Sequence, residues 1–273
     1  AWVTTSTAVH DNLIDGNAAN DFYVIDIRTA ADFAAGHIPG AVNSTMANIL
    51  TTAANSGGKT ILVACFTGQT AAHAVAALRL SGYPTAKVLK WGMCSWNAAT
   101  AISWPAKVGN IAVGNANWVV APGSIAGNQQ YADPTLTTTA TDGAGILAER
   151  VQVILTSGLS SVPNVDALAT PSNYFINNFW AEADVNNYGN INTAHRINPI
   201  TLAGGEYKNL NPAATVVTYC WTGQTSAILS AYLKVLGYDA KSILFGANGM
   251  IHDALLVNKW TEAEIKNFDL ETK

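Results

Sequence analysis

One six-residue phrase occurs twice in this 273-residue chain, and no other feature constrains the fold as much. The first copy reads Cys65-Phe66-Thr67-Gly68-Gln69-Thr70 and the second Cys220-Trp221-Thr222-Gly223-Gln224-Thr225. Only the second position differs between them. The two cysteines lie 155 residues apart (220 − 65). Internal self-similarity of this kind marks a duplicated structural unit.

The surroundings repeat as well. Ile61–Ala64 and Val216–Tyr219 are short, apolar, β-rich runs and read as buried strands. After each loop, Ala71–Leu80 and Ser226–Leu236 carry apolar residues at helical spacing. Leu80-Ser81-Gly82-Tyr83 answers Val235-Leu236-Gly237-Tyr238, and both glycines stand where a helix C-terminal glycine belongs. Lys87–Leu89 and Ser242–Phe245 read as the next strands. Strand, loop, helix, strand implies a parallel pair with a right-handed crossover. Ligands of such sheets bind at the carboxyl ends of strands, where both cysteines fall.

Upstream, Phe22–Arg28 reads as another buried strand, followed by the phrase His37-Ile38-Pro39-Gly40-Ala41. The second copy matches more weakly, with Tyr174–Trp180 in the strand's place and Gly189–Ala194 in the phrase's. These landmarks divide the chain into a domain over 1–108, a linker or crossing arm over 109–145, and a second domain over 146–273. The stretch from Trp104 to Asp142 is rich in Gly, Pro, Asn and Thr. It is too long for a plain loop, so it is predicted to pack on one of the domains.

Composition narrows the function classes. Hydrophobic residues make up 49% and charged residues 12%, which supplies cores and excludes a highly charged disordered chain. Net charge is −4 with no basic run, so no nucleic-acid partner is expected. No apolar stretch approaches the ~18 residues of a membrane span. Three cysteines without a CxxC exclude a zinc ribbon and a dithiol redox motif. His10, His195 and His252 show no metal-ligand spacing, so neither a metal nor another cofactor is expected. The chain begins Ala1-Trp2, which predicts either an exported, periplasmic protein whose signal has been removed or a trimmed cytoplasmic one.

Asp26-Ile27-Arg28, then His37–Ala41, then a loop of form C-x-x-G-x-T resembles the rhodanese homology domain. The resemblance covers most of 1–108 and, less closely, 146–273. It implies an α/β protein of two tandem rhodanese-like domains, each an open, mostly parallel sheet flanked by helices. It also implies a sulfurtransferase whose loop cysteine accepts sulfane sulfur as a persulfide. Tandem members often keep one working site, commonly the C-terminal one, whereas here both cysteines are present. Two departures stand out. Asn178 and Trp180 replace Asp26 and Arg28 in the second copy. Neither loop carries the Arg or Lys common in thiosulfate-handling members, which leaves thiosulfate-type and mercaptopyruvate-type donors both open.

The chemistry explains why a thiol would sit here. Sulfur transfer needs a thiolate, and a helix N-terminus can lower a free cysteine's pKa of ~8.5 into the range of about 3.5–7.5. Cys65 and Cys220 immediately precede predicted helices, whose dipoles and unpaired amides favour an anion. Gly68 and Gly223 let the loops curl. The N–H groups of Phe66 to Thr70 and of Trp221 to Thr225 can then converge as an anion nest. Thr70 and Thr225 are expected to donate hydroxyl bonds or cap the helix. Thr67, Gln69, Thr222 and Gln224 are expected at the rim, with Phe66 and Trp221 walling the pocket.

The partners expected are a small sulfur donor and a thiol, cyanide or protein acceptor. Cys94 has no counterpart in the second copy and reads as a core residue. Asp26 and Arg28 read as a structural pair, His37 as a turn residue and His73 as a helix residue. A cysteine protease needs a histidine base near the thiol, and neither loop offers one. A cysteine phosphatase needs an arginine clamp, but Ala71 and Ser226 stand six residues after the cysteines. A binding or scaffold protein built from retired domains is the remaining alternative.

Overall fold

Short apolar runs, buried on both faces, form the centres of two parallel sheets. In such sheets helices cover both faces, so central strands lose the polar alternation of half-exposed ones. All four residues of Ile61–Ala64 are buried accordingly, as are all four of Val216–Tyr219. The computed structural model describes residues 1–273 and divides into two compact units. The first comprises 1–106, 147–158 and 260–273; the second comprises 107–146 and 159–259.

In the first unit β1 (Val3–Thr4), α1 (Ser6–Leu13), β2 (Tyr23–Asp26), α2 (Ala30–Ala35), β3 (Val42–Asn43), α3 (Ile49–Ala53), β4 (Ile61–Ala64), α4 (Gln69–Leu80) and β5 (Lys87–Leu89) follow in order. The sheet runs β1-β5-β4-β2-β3, and every pair is parallel. Thr5 and Thr29 cap α1 and α2, accepting the N–H groups of Ala8 and Asp32, each at 3.2 Å. Helix α4 is rich in alanine and buried from Ala71 to Leu78, as a helix closely covered on all sides must be.

The second unit begins with β6 (Trp118–Val119). Helix α5 (Gly143–Ser157) comes next in the chain, with most of its residues in the first unit. There follow β7 (Ser161–Val162), α6 (Asn164–Ala169), β8 (Phe175–Asn178), α7 (Glu182–Tyr188), β9 (Asn190–Ile191), β10 (Val216–Tyr219), α8 (Gln224–Val235), β11 (Ala240–Ile243) and α9 (Gly246–Met250). The main sheet runs β7-β11-β10-β8, again all parallel. This is the first unit's order without its last strand.

The missing strand lies where the His-Ile-Pro-Gly phrase is degraded. In the first unit Val42 of β3 pairs with Ile25. In the second, the corresponding place is a single bridge between Asn177 and His195. Strand β9 instead pairs antiparallel with β6, drawn from the Gly- and Asn-rich stretch. That stretch is laid along the second unit by further backbone bonds, Gly109 to the carbonyl of Asn248 and Ala112 to that of Met250, both 2.9 Å. The chain's last residues pack in the first unit, where His37 and Glu271 bond each other's backbone at 2.9 Å in both directions. No helix is long and apolar enough to cross a membrane.

Sheet register fixes which residues of the two units are equivalent. Lys87 and Val88 lie opposite Leu62 and Val63, while Lys241 and Ser242 lie opposite Val217 and Thr218. Val88 and Ser242 therefore occupy one position. By the same criterion Asp26, opposite Ala64, corresponds to Asn178, opposite Tyr219.

Candidate functional site

Each loop leaves the carboxyl end of a central strand and turns through a left-handed glycine into a helix. Gly68 has φ 82° and Gly223 φ 77°, and each is the cap residue of the helix that follows. A side chain at that φ would be strained, so glycine allows the turn that aims peptide amides back at the sulfur. Cys65 Sγ accepts the N–H of Gly68 at 3.1 Å and of Ala71 at 3.3 Å. Cys220 Sγ accepts the N–H of Ser226 at 3.4 Å, and the Ser226 hydroxyl lies 3.5 Å away.

Several side chains take other roles than their sequence positions suggest. Thr70 and Thr225 do not cap: the glycines hold the cap position, and neither helix has a side-chain capping bond. Gln69 and Gln224 are each only 2% exposed, so they lie beneath the loop and not at its rim. Thr67 Oγ1 accepts from Gln69 Nε2 at 3.1 Å. Thr222 is likewise buried, and its hydroxyl accepts the Gln224 N–H at 3.3 Å. These residues shape the loop from within. Phe66 and Trp221, the residues next to the cysteines in the chain, are half-buried.

The thiol of Cys65 does not follow the helix-terminus expectation. At 5% exposure, burial pushes its pKa up, and the amides of Ala71, Thr67 and Gly68 only partly pull it back. The negative charge of Asp26 pushes the same way as burial. Desolvation outweighs the amide nest because a thiolate loses more hydration than three peptide dipoles return. Cys94 is fully buried and its thiol is also raised, by burial first, in keeping with a core residue.

Beneath Phe66 lies the Asp26–Arg28 pair. Arg28 Nη2 donates to Asp26 Oδ2 and to the Gly36 carbonyl, each at 2.6 Å, and Nε reaches Asp26 Oδ1 at 3.1 Å. Both side chains are almost wholly buried, which fits the structural role read from sequence. In the second unit Trp180 takes the place of Arg28 and stacks on Trp221, with ring centroids 4.5 Å apart. Tyr188 lies edge-on to Trp221, with ring centroids 5.4 Å apart. One loop therefore rests on a neutralised ion pair and the other on an aromatic stack.

Sequence reading missed the buttress behind each loop. Beyond the strand that follows the loop helix come Trp91-Gly92 and Phe245-Gly246, whose aromatic residues have φ 65° and 61°. Met93 and Cys94 donate backbone bonds to the carbonyls of Cys65 (2.8 Å) and Phe66 (3.2 Å). Ala247 and Asn248 do the same for Cys220 (3.0 Å) and Trp221 (3.2 Å). A Cβ on Gly92 would stand 2.4 Å from the Cys65 carbonyl oxygen, and one on Gly246 2.2 Å from that of Cys220. The repeated aromatic-glycine pair was the available signal. Trp104 adds a further bond in the first unit, from Nε1 to the Thr67 carbonyl at 3.2 Å, and packs edge-on to Trp91.

His37 and His73 each bond a backbone carbonyl. His37 is buried, stacks on Phe33 at 3.7 Å and lies 2.8 Å from the Phe33 carbonyl through Nδ1. His73 lies in α4 with Nε2 2.9 Å from the Ile154 carbonyl. No group of three or more His, Cys, Asp or Glu side chains is placed to hold a metal ion.

A parallel α/β sheet with an amide-ringed cysteine at its carboxyl edge defines a class, and comparison with known proteins agrees. Residues 5–99 match the Rhodanese-like domain, which marks that segment of the first unit as similar to this family. Among solved structures, a protein from Staphylococcus saprophyticus subsp. saprophyticus is 26% identical, covering 34% of this chain and 90% of that one, with a TM-score of 0.30. A rhodanese-like domain from Anabaena is 26% identical over 36% of this chain and 75% of that one, with a TM-score of 0.32. A thiosulfate sulfurtransferase from Pseudomonas aeruginosa is 14% identical, covering 91% of this chain and 44% of that one, with a TM-score of 0.35. Comparison with curated proteins gives no match.

Proposed function

We propose that the chain is a sulfurtransferase that moves sulfane sulfur through persulfides on Cys65 and Cys220. The observation that carries this reading is the aim of backbone amides at each sulfur, Gly68 and Ala71 in one loop and Ser226 in the other. Amides so placed stabilise a sulfur anion without a charged side chain. In the first half-reaction the thiolate attacks the outer sulfur of a donor. A Cys–S–S bond forms, the donor's own bond to that sulfur breaks, and the remainder leaves with the electron pair. A thiol, cyanide or protein nucleophile then takes the outer sulfur and returns the thiolate. Uncharged loops favour singly charged or organic donors over a doubly charged one such as thiosulfate.

The test is sulfur loading of the full chain and of Cys65→Ser, Cys220→Ser and the double variant. Mass spectrometry after exposure to a panel of sulfane donors should show one added sulfur per intact loop and none in the double variant. Undiminished transfer in the double variant refutes the reading. A second reading, a binding or scaffold protein, is favoured by the burial of Cys65 and its raised thiol pKa. It requires both cysteines to stay unmodified by every donor. A phosphatase lacks its arginine, since Ala71 and Ser226 occupy that position.

A further inference from the structure

The two sulfur sites differ in a pair of buried hydroxyls. Ser226 and Ser242 are both fully buried, one on the first turn of α8 and the other on β11, with their oxygens 2.7 Å apart. Ser226 Oγ lies 3.5 Å from Cys220 Sγ and 3.2 Å from the Gly223 carbonyl oxygen. Ser242 Oγ is 3.4 Å from the same carbonyl. At the equivalent positions the first unit carries Ala71 and Val88. Its sulfur therefore faces no hydroxyl from these two places.

We propose that Ser226, backed by Ser242, is a hydroxyl donor that holds the Cys220 sulfur as an anion. This rests on the reading of Cys220 as the sulfur nucleophile. Each hydroxyl has one proton and two lone pairs. While Cys220 is a thiol, the Ser226 proton is directed to the Gly223 carbonyl. Once the thiol proton has left to solvent, Ser226 turns its hydrogen to the sulfur, and Ser242 donates to Ser226 Oγ. Linked donors polarise one another, and a hydrogen bond to an ionised acceptor is stronger than a neutral one. The two hydroxyls share the Gly223 carbonyl as acceptor, which leaves one proton of the pair free to turn to the sulfur.

The charged surroundings leave room for this effect. Of the elements packed about the sulfur, β8 and α9 carry no titratable side chain. Strand β10 contributes Tyr219, whose hydroxyl accepts the Ile191 N–H at 3.3 Å and whose pKa is raised by burial. Helix α8 contributes Tyr232 and Lys234 on its last turn, and β11 contributes Lys241. The Lys234 ammonium is held by Ser160 Oγ at 2.5 Å.

The test uses the full chain and follows the pH dependence of iodoacetamide alkylation at each cysteine by peptide mass spectrometry. Ser226→Ala should move the Cys220 midpoint up by about one pH unit, the tenfold change in thiolate population that loss of one charge-assisted bond implies. Ser242→Ala should move it less, and the Cys65 midpoint should stay put in both. The reciprocal Ala71→Ser/Val88→Ser variant should lower the Cys65 midpoint. An unmoved Cys220 midpoint in a folded Ser226→Ala protein overturns the proposal. If that variant does not fold, an unmoved Cys65 midpoint in the reciprocal variant overturns it. Sulfur uptake is read separately. A shifted midpoint with no uptake from any donor supports the hydroxyl donor and sinks the transferase reading. Uptake with an unshifted midpoint does the reverse.

Discussion

The guanidinium carbon of Arg28 lies 5.6 Å from the centroid of the Phe66 ring, so the aromatic residue beside Cys65 rests on a buried cation. The cation is itself neutralised by Asp26. Replacing Arg28 with Met leaves that carboxylate buried and unpaired, which costs about 3–5 kcal/mol. Urea unfolding of the first unit measures it. Arg28→Lys should recover little, because one ammonium cannot reproduce the forked contact to both carboxylate oxygens. A loss below ~1 kcal/mol for Arg28→Met would mean that Asp26 finds water or another donor.

In the second unit the corresponding support is aromatic. Trp180→Ala removes a side chain that is 1% exposed and stacked on Trp221. Truncation of a buried aromatic costs about 3–5 kcal/mol. It should also free Trp221, seen as a red shift of tryptophan emission, while Cys65 alkylation stays unchanged.

The glycine buttresses predict site-specific losses. Gly92→Ala forces a methyl group against the Cys65 carbonyl oxygen, and Gly246→Ala against that of Cys220. Both positions also have positive φ, 62° and 50°. Each substitution should destabilise its own unit by about 1–3 kcal/mol and displace its loop. Sulfur loading at the matching cysteine should fall at least about tenfold, the effect of misplacing a reacting group. Loading at the other cysteine should be unaffected.

Burial of Cys65 makes a prediction in pH. Its folded pKa lies above the ordinary thiol value, because desolvation outweighs the amides. The unfolded chain thus gives up this proton at lower pH than the folded one. The thiol's contribution to stability is fully present below the ordinary value and is lost as pH rises through the raised one. Cys94 is shifted in the same direction and adds to the effect. Urea midpoints of the wild type should decline above about pH 8.5 more steeply than those of a Cys65→Ala/Cys94→Ala variant. Equal slopes would show that neither thiol contributes.

The chain's end is tied to the His37 phrase. Glu271 bonds His37 through the backbone in both directions, and its carboxylate accepts the Gly40 N–H at 2.8 Å. Phe268 stacks on His10 at 3.9 Å and meets Trp96 edge-on at 5.1 Å. Deleting residues 268–273 should lower the first unit's urea midpoint, with a loss of about 2–4 kcal/mol for one partly buried aromatic and its neighbours. Unfolding of the truncated chain, followed by near-ultraviolet circular dichroism, checks it.

The sequence by itself determined the strand, loop, helix and strand around each cysteine. Apolar runs such as Ile61–Ala64 and helical spacing such as Ala71–Leu80 are local signals, and burying them on both faces leaves few arrangements besides a parallel sheet. It also placed Gly68 and Gly223, because a left-handed turn selects glycine locally. Only the tertiary structure decided what faces each sulfur. Gly92 and Gly246 approach from beyond the next strand, and Ser226 meets Ser242 because two elements separated in sequence pack together. The Cys65 thiol illustrates the reason most directly. Its amide bonds were legible from the loop, but the desolvation that outweighs them comes from every element packed around it.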